Sequence, residues 1–206
     1  MQIENHKEQV PFEHYCKEWA ELDPAETAKK SRVPFDPETG TFSITMLGVG
    51  YRLHWPEFSI GADGGEGFAL TNIPAQILLM RRVMSPGPAP SLGRFLTFRE
   101  TPWGDVYVRQ FTGRCLNRAA FTFGTKTEAF RRALERIGAE PLTHGDVSGE
   151  VEFLPELRMR IILWEGDDEF PPSSQILFSD NFPSTFAAED LVVCADVLIS
   201  ALKTFI

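Results

Sequence analysis

The sequence predicts an α+β fold: a single domain with a mainly antiparallel sheet, helices packed on it and an amphipathic C-terminal helix. Three observations carry this. Residues 157–203 read as strand, acidic turn, strand and helix in succession. Thr41–Met46 alternates polar and apolar residues, the period of a half-buried strand. Over 187–203, Leu191, Cys194, Ala195, Leu198, Ala201 and Leu202 recur at helical spacing.

The rest of the chain follows in order. Residues 1–11 are polar and expected to fray. Phe12, Tyr15, Cys16, Trp19 and Leu22 then mark a helix over 12–22. Asp23-Pro24-Ala25-Glu26 combines an N-cap, a proline at the first helical position and a carboxylate at the third, so a second helix starts there. Asp36 to Gly40 is turn chemistry, and 51–55 returns as a second strand, with 57–60 extending the sheet. The glycines of 61–67 lack the Lys-Ser/Thr of a phosphate-binding loop and the spacing of a calcium loop, and read as a plain turn.

Asn72 opens a well-buried helix to about Ser85, with Ile73, Ile77, Met80 and Met84 on one face. Pro86, Pro88 and Pro90 make an extended link. Residues 94–100 and 105–111, separated by Thr101-Pro102-Trp103-Gly104, read as a hairpin, because Leu96 and Phe98, and Val106 and Val108, alternate with polar neighbours. A helix is expected over 113–123 and a firmer one over 125–137, stopped by Gly138.

The chain has 206 residues, 43% hydrophobic and 24% charged, ordinary values for a globular protein. Its net charge of −9 argues against nucleic-acid or anionic-membrane binding. The charge is uneven: residues 81–136 hold 11 Lys+Arg against 4 Asp+Glu, the remainder 9 against 25. Such a basic segment either binds an anion or pairs with the acidic flanks. Three scattered cysteines with no Cys-x-x-Cys write neither a disulfide framework nor a metal or cluster site, and they fit a reducing compartment. The polar N-terminus has no signal-peptide pattern, and the longest apolar stretch is too short to span a bilayer. A soluble, cytoplasmic protein is the expectation.

Two groups of residues are candidates for chemistry. The first is the acidic turn, where Glu165, Asp167, Asp168 and Glu169 lie between Trp164 and Phe170. Clustered carboxylates can hold a hard cation or raise one another's pKa for acid–base work. They can equally be a solvated turn or pair with the basic segment. The second group is Arg99, Glu100, Arg109 and Arg114. In a hairpin, Arg99 and Arg109 could share a face suited to bidentate binding of carboxylate or phosphate. The structural reading is that they clamp Glu165, Asp167 or Glu169. The histidines are isolated, with His144-Gly145-Asp146 read as a turn, and Ser173 and Ser174 lack a nucleophile motif.

The string 163–171 (LWEGDDEFP), then Ile176-Leu177-Phe178, Phe186 and Glu189-Asp190-Leu191, resembles the DUF3786 family. Ile77-Leu78-Leu79, Thr97-Phe98-Arg99-Glu100, Tyr107, Phe111 and Gly113-Arg114 also match its pattern. The resemblance spans about 40 to 203. It implies a prokaryotic protein, chiefly of anaerobes. Relatives sometimes carry a four-cysteine iron–sulfur module, whose cysteines this chain lacks. The family has no assigned function, and the resemblance brings no catalytic residues and identifies no cofactor.

The leading expectation is an accessory protein of anaerobic metabolism that binds a small anionic ligand or a protein partner. The acidic turn and the Arg-bearing segment would line one groove or interface. The alternative is an enzyme with Glu165 or Asp168 as acid/base and Arg99 or Arg114 orienting an anionic substrate. A third reading is an interaction protein, a homodimer, using exposed Phe and Trp.

Overall fold

The computed structural model describes residues 6–63 and 72–206. The fold is α+β with two antiparallel sheets, and the chain divides into two compact units at Gly87/Pro88.

In the first unit, α1 (His6–Ala20) and α2 (Pro24–Ser31) precede β1 (Phe35–Asp36), β2 (Thr41–Met46), β3 (Val49–His54) and β4 (Ser59–Ala62). These strands pair in sequence order, and α3 (Ile73–Met84) follows and packs on α1 and α2. The Asp23 cap forms as the sequence predicts, its carboxylate accepting from the Ala25 and Glu26 amides, and where Asn72 opens α3 its side chain accepts from the Ala75 amide. Trp19 is fully buried, edge-on to Phe42, and its indole N–H donates to the His54 carbonyl at 2.8 Å. That bond lets the largest side chain enter the core without stranding a donor. Two expectations change here. Residues 6–11, expected to fray, belong to α1. The glycine loop lies outside the described residues from residue 64 onward.

In the second unit, β5 (Phe95–Thr97), β6 (Glu140–Pro141), β7 (Val147–Leu154), β8 (Leu157–Trp164) and β9 (Ser173–Ser179) form a sheet in the order β5-β9-β8-β7-β6. Met159, Ile161, Ile176 and Phe178 bury its inner face. The helices are α4 (Gly104–Phe111), a π-helical stretch Thr112–Asn117, α5 (Arg118–Phe123), α6 (Thr127–Arg136) and α7 (Ala188–Lys203). Contacts of α5 with β8 and β9, and of α6 with β7, cover the sheet, while α7 packs on α4, α6 and the π-helical stretch.

The predicted hairpin does not form. Only Phe95–Thr97 is a strand, paired with β9; Phe98–Glu100 is a 3-10 turn; and residues 105–111, expected as the returning strand, are helical. The physical reason lies in a longer stripe. Phe111, Cys115, Ala119 and Phe123 are buried at four-residue steps, so a helix buries them together, whereas a strand would put Phe111 in place alone. The reversal is tight. Trp103 sits in the left-handed region (φ 65°), and a Cβ on Gly104 would stand 1.9 Å from the Phe98 carbonyl oxygen. Only glycine fits there.

Candidate functional site

The acidic turn joins β8 to β9, and its four carboxylates are exposed. One Asp167 carboxylate oxygen accepts from the Glu169 and Phe170 amides at 2.8 and 2.6 Å, and the Asp167 amide donates to the Phe170 carbonyl. Asp167 therefore builds the turn. The Phe170 amide, then the Glu169 amide, hold its carboxyl below the ordinary range. The Glu165 amide donates to the Asp146 carboxylate at 2.8 Å, which gives the His144-Gly145-Asp146 turn a structural use. Trp164 is 40% and Phe170 67% exposed, so neither ring dries the carboxylates. Among the described residues no ion pair joins Glu165, Asp167, Asp168 or Glu169 to a cation. The expected clamp by Arg99 or Arg109 is absent there. Nor do three His, Cys, Asp or Glu side chains gather as a metal-ligand set among the described residues.

The basic residues divide by partner. Arg118 is half-buried, paired with Asp196 and hydrogen-bonded to Ser200 at 3.0 Å, which pins α5 to α7. Arg158 and Arg160 share Glu150 on the sheet. Glu100 turns back on its own segment: its carboxylate accepts from the Thr97 hydroxyl and amide, each at 2.7 Å. The Thr97 hydroxyl, then its amide, lower the Glu100 pKa. Arg99 pairs with Asp105 at 3.1 Å. Arg114 is exposed on the π-helical stretch.

Arg99 and Arg109 do meet, although the hairpin meant to join them is missing. With Val108, Thr112, Gly113 and Asn117 they line an open depression of about 340 Å³. Helix geometry accounts for the set: 109, 112, 113 and 117 fall at steps of three, four and eight residues, on one face. The π-helical turn widens the backbone there, and such turns recur at functional sites. Within the described residues the side chains of Arg109, Thr112 and Asn117 make no hydrogen bond or ion pair, so one guanidinium, one hydroxyl and one amide stand open around the hollow. Arg114, Trp164 and the four carboxylates of the turn are not in its lining. The two candidate groups therefore do not line one groove. Thr112 and Asn117 went unnoticed in the sequence because their shared face with Arg109 exists only if 104–117 is helical.

Two further hollows lie elsewhere. One of about 540 Å³ in the first unit runs between α1 and Pro56-Glu57-Phe58. One of about 260 Å³ in the second unit is lined by Trp103, Phe186 and Leu191.

The arrangement defines a class: an α+β protein whose open polar side chains converge on a cationic hollow rather than on a carboxylate pair. The family model described as a domain of unknown function (DUF3786) matches residues 23–201. The chain belongs to that family. No curated protein and no solved structure gives a significant match. Among the described residues no helix is long and apolar enough to cross a membrane.

Proposed function

We propose that the protein is a non-enzymatic accessory protein that binds a small anionic ligand, a carboxylate or phosphate, in the depression formed by Arg99, Arg109, Thr112 and Asn117. The family resemblance adds a setting, the cytoplasm of anaerobic prokaryotes. One observation carries the reading: Arg109 has no acidic partner among the described residues, yet lines a hollow with a second arginine and two open hydrogen-bonding side chains. A guanidinium presents its donors in a planar fork that fits carboxylate and phosphate oxygens.

The carboxylate acid–base reading draws no support from this geometry. Its candidate residues, Glu165 and Asp168, lie exposed in the acidic turn and outside the lining of the depression that holds Arg99 and Arg109.

Isothermal titration of the full chain with inorganic phosphate and with citrate tests the proposal. Binding that falls at least tenfold in Arg109→Gln supports it. Equal binding by both proteins, or none by the wild type, overturns it.

A further inference from the structure

Resting on the anion-binding reading above, the geometry points to a ligand with two anionic groups, and to Asp105 as the built-in competitor that tempers its affinity. Asp105 and Arg109 stand four residues apart on α4, neighbours on one helix face. A carboxylate there would ordinarily serve Arg109. It reaches Arg99 instead, at 3.1 Å, and leaves Arg109 open.

The hollow is thus unequal. At one wall Arg109, with Thr112 and Asn117 beside it, is ready to take an anion. At the other, Arg99 already holds one supplied by the chain. A monoanion on Arg109 leaves the Arg99–Asp105 pair undisturbed. A second anionic group on the same ligand must displace Asp105 from Arg99, or share Arg99 with it. That displacement costs little, because both partners are well exposed (67% and 79%), and exposed pairs are weak. The second anion then gains a guanidinium already held near the site by the capped Thr97–Glu100 turn. Asp105 acts as a built-in competitor: it keeps the second arginine neutralised until a second anionic group displaces it, and so lowers the affinity of ligands long enough to reach Arg99.

The test compares acetate with succinate and pyrophosphate by isothermal titration, on the full-length wild type and the Asp105→Asn, Arg99→Gln and Arg109→Gln variants. Removing Asp105 is expected to tighten succinate or pyrophosphate by about two- to fivefold, the range an exposed pair accounts for. Acetate should change less. Arg99→Gln should bring the dianion down toward acetate, while Arg109→Gln weakens all three. Dianion binding that is unchanged in Asp105→Asn, or an equal gain for acetate, overturns the role of Asp105 while leaving anion binding in place. Wild-type protein that binds none of the three overturns both.

Discussion

The rings of Phe98 and Phe111 lie parallel, 2° apart in plane and 4.1 Å between centroids. This stack fastens the 3-10 turn that carries Arg99 to the helix that carries Arg109, so the two walls of the depression are set by one buried contact. Both residues are essentially inaccessible, and Phe111 also approaches Phe178 of β9. Phe111→Ala should destabilise the protein by about 3–5 kcal/mol, the usual cost of emptying a buried aromatic site. Urea denaturation measures it; a loss under 1 kcal/mol would mean the stack does not hold the turn.

Two glycines in the same segment should respond in opposite ways. Gly104→Ala forces a Cβ into the Phe98 carbonyl and should cost about 1–3 kcal/mol, as overpacking does. Gly113 has nothing within 4 Å of its Cβ position and sits in a helical stretch, so Gly113→Ala should be neutral or stabilise by up to about 1 kcal/mol. Thermal melts of the two variants decide it. Equal losses would contradict the tight turn at Gly104.

The acidic turn separates structure from charge. Asp167→Ala removes the acceptor of two backbone amides and should lower the denaturation midpoint, as losing a helix cap does. Asp168→Lys should stay within about 0.5 kcal/mol, because that side chain is exposed and holds no ion pair among the described residues. Denaturant midpoints check both. A large loss from Asp168→Lys would give that carboxylate a structural partner.

Burial pushes the Cys115 thiol up to about 12 from an ordinary 9.0, with the nearby Asp196 charge adding to it. The folded state thus holds this proton more tightly than the unfolded chain. The stability it contributes is intact below pH 9.0 and falls as the pH rises toward 12. Cys115→Ala should flatten the alkaline loss of stability over that window. In the native protein at pH 8, iodoacetamide should label the half-buried Cys16 before Cys115. Mass spectrometry reads the order, and faster labelling of Cys115 would contradict its burial.

Much of the fold was legible wherever local chemistry and tertiary burial agree. Asp23 and Asn72 cap the helices they precede, Thr41–Met46 alternates as it lies, and α7 buries the stripe read from its spacing. The hairpin at 94–111 was misread because Val106-Tyr107-Val108-Arg109 alternates over four residues, too short a window to separate the periods of strand and helix. The deciding signal was the stripe from Phe111 through Phe123, which begins where the supposed strand ends. The candidate site inherited that error. Arg99 and Arg109 were picked out as a pair for a geometry that does not exist, and they meet through a helix and a turn instead. A π-helical stretch, which placed Thr112 and Asn117, has no spacing signature in a single sequence.

The proposed anion site lies between Arg99 and Arg109. Backbone amide chemical shifts of the isotopically labelled full chain, followed during a pyrophosphate titration, test this. Saturable shifts are expected in residues 108–117 and at Arg99, and are lost in Arg109→Gln. Shifts confined to residues 164–170, or no saturable shift at all, would contradict it.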